Sequence, residues 1–292
     1  MALHGFILHN GRIHRADTAT LCAGQVGLLA GWGVFTTMRV VEGVPFAWER
    51  HWARMSRDAK LLNVTMPADA NGVEQDLYRL IEANGRPDCT LRLVAVRNTG
   101  GIWEGAAADR TATDVIALTA DSKSWGESVR LRLQRDARFS SNEFCGAKIL
   151  SWAQNLTWAE RANREGFDEV ILLNECGSVA ECTSANIFAV FGNDVVTPPL
   201  SDGCLPGITR EVLIQEVRVE GVCVREGSLT VEDLYRADEA FITSTTRDLL
   251  PIREIAGREL NRRPAIREQL AAAFRNFVQQ DIARRKPAGV AS

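Results

Sequence analysis

Apolar positions along this chain change their spacing several times, and each change marks an element. Gly5-Phe6-Ile7-Leu8 and Arg12-Ile13-His14 flank Asn10-Gly11. An Asn-Gly pair between two such runs predicts a β-hairpin over residues 3–15. Gly33 to Val41 reads as a strand that turns at Glu42-Gly43 into Val44-Pro45-Phe46. The period then becomes helical. Trp52, Met55, Ala59 and Leu62 share one face of a helix expected from Trp48 to Leu62. A second helix is expected over 69–83, ending before Asn84-Gly85, with strands from Thr90 to Arg97 and from Asp114 to Thr119.

Residues 120–128 are polar and turn-rich, the composition of a linker. They divide a smaller α/β domain over 1–119 from a larger domain over 129–292. In the larger part a strand is expected from Val129 to Gln134 and a helix over about 150–165, closed by Gly166. Strands follow at Glu169 to Leu173, Val179 to Cys182, Ile187 to Phe191 and Val195 to Thr197. Pro206-Gly207 introduces a helix from Ile208 to about Glu220. The elements lack the regular alternation of a doubly wound sheet, so the expected class is α+β in two domains.

Charge narrows the functions. The 34 Lys and Arg stand against 37 Asp and Glu without a basic block, which argues against a nucleic-acid partner. No apolar run approaches the roughly 18 residues of a membrane helix, and the start lacks the pattern of a signal peptide. A cytoplasmic protein is expected. The seven cysteines include no Cys-x-x-Cys pair, and His4, His9 and His14 are spaced by odd steps that put successive members on opposite strand faces. No metal site is expected, and the thiols read as reduced.

Individual residues leave their roles open. Lys148 lies among small and apolar neighbours, Cys145-Gly146-Ala147 and Ile149-Leu150, where desolvation would favour the neutral, nucleophilic amine. Alone, such a lysine is more often a solvated surface group. Glu181 sits in Ser178-Val-Ala-Glu-Cys-Thr-Ser-Ala-Asn-Ile-Phe188, either a carboxylate with room for a partner or a half-exposed strand residue. Leu205-Pro-Gly-Ile-Thr-Arg210 has the shape of a helix start, whose first N–H groups accept phosphate readily. Arg54 reads as an exposed helix cation, and Thr243-Ser-Thr-Thr-Arg247 as a cap or an anion site.

Taken in order, these pieces resemble the class IV aminotransferases, the fold-type IV pyridoxal-phosphate (PLP) enzymes. That family includes branched-chain and D-amino-acid aminotransferases and aminodeoxychorismate lyase. The matching segments run from Gly31-Trp-Gly-Val-Phe-Thr-Thr-Met-Arg39 through Phe46 to Met55, Lys148 and Glu165-Gly-Phe-Asp-Glu169. They continue in Val179 to Phe188, Thr197-Pro-Pro199, Leu205 to Arg210 and Ala237 to Phe241 with Thr245. The resemblance implies a two-domain, D-amino-acid-aminotransferase-like fold with PLP as cofactor. It implies Lys148 as the Schiff-base lysine and proton shuttle, and Glu181 as partner of the pyridine nitrogen. Arg54, Ile208, Thr209 and Thr245 would hold the phosphate. A homodimer follows from the same resemblance.

The chain departs from the branched-chain subgroup in places. That subgroup has a Tyr five residues after the lysine, where Ala153 stands here, and a Tyr-x-Arg where this chain has Thr90-Leu91-Arg92. Phe35-Thr-Thr-Met-Arg39, Val94 to Gly101 and the Glu181-Cys182 run lean toward aminodeoxychorismate lyase, whereas Leu205 to Arg210 has the transaminase form. The Arg and His with which D-amino-acid transaminases hold a carboxylate are missing from Gly100-Gly-Ile-Trp103. The leading expectation is a transaminase acting on an amino donor and a 2-oxo acid, with Arg39, Arg92, Thr246 and Arg247 as candidates for the substrate carboxylate. The alternative is a lyase releasing 4-aminobenzoate and pyruvate. A PLP carrier without activity is disfavoured by the joint presence of Lys148, Glu181 and Arg54. The Gly- and Ala-rich stretch 101–110 is a candidate substrate loop.

Overall fold

The hairpin signal around Asn10-Gly11 is realised in full. In the computed structural model, which describes residues 2–19, 26–100, 111–260 and 265–286, both turn residues take positive φ, 48° and 76°. His9 stands opposite Arg12. The chain folds as two compact units, divided first between Lys123 and Ser124; residues 148–152 and 280–286 belong to the first unit.

The first unit contains β1 (Leu3–His9), β2 (Arg12–Arg15), α1 (Val26–Ala30), β3 (Gly33–Val41) and β4 (Val44–Pro45). It continues with α2 (Trp48–Leu61), α3 (Ala70–Asn84), β5 (Cys89–Arg97) and β6 (Thr113–Ala120). Its sheet is antiparallel, in the order β2-β1-β6-β5-β3-β4. Helix α2 packs on β3, and α3 packs on β1 and β6. Val34, Met38, Leu77, Leu80, Leu91 and Leu93 fill the space between. Each such buried side chain contributes about 1.5–3 kcal/mol relative to an exposed one.

The second unit contains β7 (Val129–Arg138), α4 (Ala153–Arg164), β8 (Glu169–Asn174), β9 (Val179–Cys182), β10 (Asn186–Phe191) and β11 (Asp194–Thr197). Then come α5 (Ile208–Gln215), β12 (Cys223–Glu226), α6 (Val231–Arg236), β13 (Glu239–Ser244), β14 (Asp248–Ile255) and β15 (Arg258–Glu259). The last helix is α7 (Ile266–Arg285), and the division between units falls within it, at 279/280. The strands form a mixed sheet, β12-β11-β10-β13-β14-β7-β8-β9, with β15 on β14. The pairs β11/β12, β14/β7 and β7/β8 are parallel.

Two expected helices have different bounds. The helix expected at about 150 begins at Ala153, because residues 149 and 150 instead pair with β3. The helix expected to reach Glu220 ends at Gln215, where the Val217 amide turns back to the Val212 carbonyl at 3.0 Å. Val217 and Val219, alternating with charged residues, are poor helix continuers. Among the described residues, no helix is long and apolar enough to cross a membrane.

Candidate active site

In the first unit, α2 carries polar residues on a face that the hydropathy pattern assigns to solvent. His51, Arg54 and Asp58, three and four residues apart, project from one side. They are 0%, 8% and 0% exposed. Arg54 is therefore not the exposed helix cation that its own position suggests. Its Nη2 donates to Thr36 Oγ1 at 3.0 Å, and Thr36 Oγ1 lies 2.6 Å from His51 Nδ1. Arg54 donates to the hydroxyl, and the direction of the Thr36–His51 bond follows the imidazole tautomer.

Lys148 is held against the end of β3. Its carbonyl accepts from the Phe35 amide at 3.1 Å, the Leu150 amide donates to the Gly33 carbonyl at 2.9 Å, and Ile149 stands opposite Val34. This close approach needs glycine at 33. A Cβ there would lie 2.4 Å from the Ala95 carbonyl oxygen and 2.6 Å from Leu150 Cδ1. The Lys148 amide donates to Asp58 Oδ2 at 3.0 Å. Its Nζ sits 4.6 Å from the centroid of Phe35 and 5.8 Å from that of Trp152.

Arg39 and Arg92 come to the same face of this sheet. Phe35, Thr37 and Arg39 alternate outward on β3, and the register places Arg92 opposite Thr37. Arg92 Cζ lies 4.7 Å from the Phe35 centroid, and its Nε is 3.4 Å from Thr37 Oγ1. Burial lowers the pKa of this guanidinium, with no carboxylate among the described residues offsetting it.

In the second unit, Glu181 on β9 is 7% exposed. Its Oε1 accepts from Arg138 Nε and its Oε2 from the Leu205 amide, each at 3.0 Å. A carboxylate has about four lone-pair sites, so capacity for another donor remains. Just beyond Leu205 the helix α5 begins without a side-chain cap. Asn186 Nδ2 holds the Leu205 carbonyl at 2.8 Å, and a Cβ on Gly207 would lie 2.0 Å from Asn186 Oδ1. Ile208 and Thr209 supply the first-turn amides. Thr209 is 1% exposed, and its hydroxyl has no partner among the described residues. Buried hydroxyls are rarely left so. An uncapped helix start with an unpartnered hydroxyl suits a phosphate, and Glu181 suits a protonated ring nitrogen. These residues fit PLP.

Thr245, Thr246 and Arg247 form the loop between β13 and β14, closed by Ser244 opposite Asp248. Arg247 does not suit the substrate role expected of it. Its Nη2 pairs with Glu169 Oε2 at 3.0 Å, it donates to Ser184, and its Cζ stacks 3.6 Å from the Trp125 centroid. The two side chains of the ion pair are 5% and 2% exposed, so the charge is already matched inside the fold. Thr246 is half-buried beside Ser244. The stretch 101–110 lies outside the described residues.

Sequence reasoning missed Asp58, Thr36, Arg138 and Asn155. Arg138 belongs to a strand read as ending at Gln134. Beyond a register shift, with Asp136 at φ 50°, β7 continues and brings Arg138 to Glu181. Asn155 Nδ2 bonds the Thr183 carbonyl at 2.8 Å, and its Oδ1 lies 3.5 Å from the Arg138 guanidinium.

His51 carries a pH signature. Burial, with Arg54 and Lys148 as neighbouring cations, holds its pKa well below the ordinary 6.5. Below about pH 6.5 the unfolded chain takes up a proton that the folded chain refuses. This contribution to stability is therefore full above that pH and declines as pH falls. The decline is at most about 1.4 kcal/mol per pH unit. Urea unfolding at pH 7.5 and 5.0 should show a smaller acid loss for His51→Gln than for wild type; equal losses would remove His51 as the cause.

A model of the family described as amino-transferase class IV matches residues 33–255. A Bacillus licheniformis D-alanine aminotransferase is 28% identical over 87% of this chain and 89% of its own. The aminodeoxychorismate lyase of Bacillus subtilis is 29% identical over 84% and 85%. The crystal structure of a branched-chain aminotransferase from Thermoproteus uzoniensis with norvaline superposes at a TM-score of 0.86. It is 30% identical, and the match covers 96% of this chain and 97% of that one.

Proposed function

This chain belongs to the amino-transferase class IV family, and from that premise we propose how its residues perform PLP-dependent transamination. The enzyme moves an amino group from an amino donor to a 2-oxo acid. Bound PLP supplies the electron sink for the charge left when the substrate Cα–H bond breaks. Lys148 would hold the cofactor through Nζ, and its amine, when neutral and free, would take the proton from substrate Cα and return it. Glu181 would partner the ring nitrogen. Arg54, the amides of Ile208 and Thr209, the Thr209 hydroxyl and Thr245 would bind the phosphate.

The donor is proposed to be an amino acid rather than a simple amine. The observation that carries this is the shared Phe35 ring, with Lys148 Nζ 4.6 Å from its centroid and Arg92 Cζ 4.7 Å from it. A half-buried guanidinium without an acidic partner among the described residues, one ring away from the proton-transferring amine, suits the substrate carboxylate. Arg39, on the same sheet face, is the second candidate. The branched-chain and D-alanine aminotransferase relatives favour an amino-acid donor of either hand. We also propose a cytoplasmic homodimer with 120–128 as the interdomain linker. Six free cysteines among the described residues and exposed Phe139, Phe144, Leu156 and Leu200 support this.

The test is the visible spectrum of the PLP-loaded enzyme with single donors and no acceptor: L-glutamate, L-leucine, D-alanine and an (R)-amine. One amino acid should bleach the yellow absorbance, and Arg92→Ala should weaken that donor's half-saturation about ten-fold or more. Bleaching by the amine alone would remove the carboxylate role of Arg92. Release of pyruvate and 4-aminobenzoate from aminodeoxychorismate without an acceptor would favour the lyase reading, which the Bacillus subtilis relative keeps open.

A further inference from the structure

We propose that Asp58 is a positioning residue for Lys148, fixing the direction of the lysine side chain through the backbone. The inference rests on Lys148 being the reacting lysine. Between the end of β7 at Arg138 and the start of α4 at Ala153, the chain contains no helix and no extended strand. A single bridge among the described residues, Ile149 opposite Val34, pairs this stretch with the sheet. The Lys148 peptide is nonetheless gripped on both sides. Its carbonyl accepts from the Phe35 amide at 3.1 Å, and its amide donates to Asp58 Oδ2 at 3.0 Å. Together these bonds set the plane of the backbone and hence the Cα–Cβ direction that carries Nζ over Phe35.

A neutral acceptor would satisfy one amide, and a buried carboxylate is costly to install. Asp58 is fully buried. Its other oxygen, Oδ1, is forked by Arg57 Nε at 2.9 Å and by Arg57 Nη2. The Arg57 side chain is 50% exposed, so the charge is matched by a cation that stays in water. Oδ2 is thereby turned to the Lys148 amide in a charge-assisted bond, about twice as strong as a neutral one. Helix α2 thus holds the backbone of the reacting lysine with the same buried face that carries Arg54.

Asp58→Ala and Asp58→Asn separate this role from a purely structural one. The amide of Asn keeps an acceptor of the same shape without the charge. Two quantities are read: the steady-state constants of the PLP-loaded enzyme, and the rate at which apoprotein recombines with PLP, followed by its absorbance. In Asp58→Ala, kcat and the recombination rate should both fall about 10- to 100-fold, the order expected when a reacting group is misplaced. Donor KM should stay within about three-fold of wild type, because the substrate-binding groups are untouched. Asp58→Asn should lie between, about two- to ten-fold below wild type. A folded Asp58→Ala within two-fold of wild type in both quantities would overturn the proposal, as would an Asn variant as impaired as the Ala variant. If the Ala variant does not fold, an unchanged recombination rate in Asp58→Asn overturns it. Borohydride reduction of the wild-type holoenzyme followed by peptide mapping keeps the underlying reading separate: a label on a residue other than Lys148 defeats that reading, whatever the Asp58 variants do.

Discussion

Lys148→Ala is expected to yield a folded protein that takes up PLP weakly and no longer transaminates. The fold should survive because the backbone bonds that hold Lys148 do not need its side chain. The Phe35 amide, the Asp58 carboxylate and the Gly33 carbonyl bind peptide groups that alanine keeps. The lost contacts of Nζ with the Phe35 and Trp152 rings contribute only about 0.5–1 kcal/mol at a half-exposed site. Activity should fall about a thousand-fold or more, since proton transfer by a placed base is itself a factor of roughly 10²–10⁴ and the covalent hold on the cofactor is lost as well. Two measurements check this. Borohydride should fix PLP to the wild-type chain and not to the variant. Added methylamine should restore part of the variant's activity, because a small free amine can enter the space of the missing side chain and carry the proton. A variant that keeps its yellow colour after dialysis and a tenth of wild-type kcat would show that another residue is the reacting base.

How much of this is legible in the sequence depends on the range of the interaction. The hairpin at Asn10-Gly11, the strand from Gly33 and the helix from Trp48 rest on local turn chemistry and periodicity, and the structure has them within a residue or so. Lys148, Glu181 and Arg54 stand out through motif order. What pattern alone misplaces is polar burial. Hydropathy assigns His51, Arg54 and Asp58 to water, yet Thr36 and the Lys148 amide, distant in sequence, supply partners that make burial tolerable. The start of α4 is misplaced for the same reason. Ile149-Leu150 looks like the opening of a helix until the approach to Gly33, more than a hundred residues away, is known. Arg247 offers no local sign that Glu169 will claim it. Helix α7 is a different case. Leu270, Phe274, Val278 and Ile282 recur every four residues and are buried, so the signal is present although the helix is not among the expected elements.

Glu181→Gln should separate holding the cofactor from activating it. The amide has the same shape, so the Leu205 amide can still donate to its oxygen. The Gln NH₂ group then faces Arg138, a donor against a donor. That ion pair, with side chains 16% and 9% exposed, becomes a mismatch. The cost in stability should be about 1–3 kcal/mol, below the full penalty for a deeply buried pair because Arg138 retains the Ala137 carbonyl and partial access to water. The cost in catalysis should be larger. A carboxylate stabilises a protonated ring nitrogen and an amide does not, so the ring draws electrons from the substrate less strongly. Loss of one preorganised electrostatic partner costs about 10²–10³ in kcat. Since Lys148 is untouched, borohydride should still fix PLP to it in the variant. The decisive measurement is therefore kcat at full PLP occupancy, alongside an unfolding curve that accounts for the stability loss. A fall of two orders of magnitude with the cofactor attached assigns the electron-sink role to Glu181. A kcat within about five-fold of wild type would mean that the carboxylate serves mainly to place Arg138 and the Leu205 turn, and that the ring nitrogen gets its charge from elsewhere.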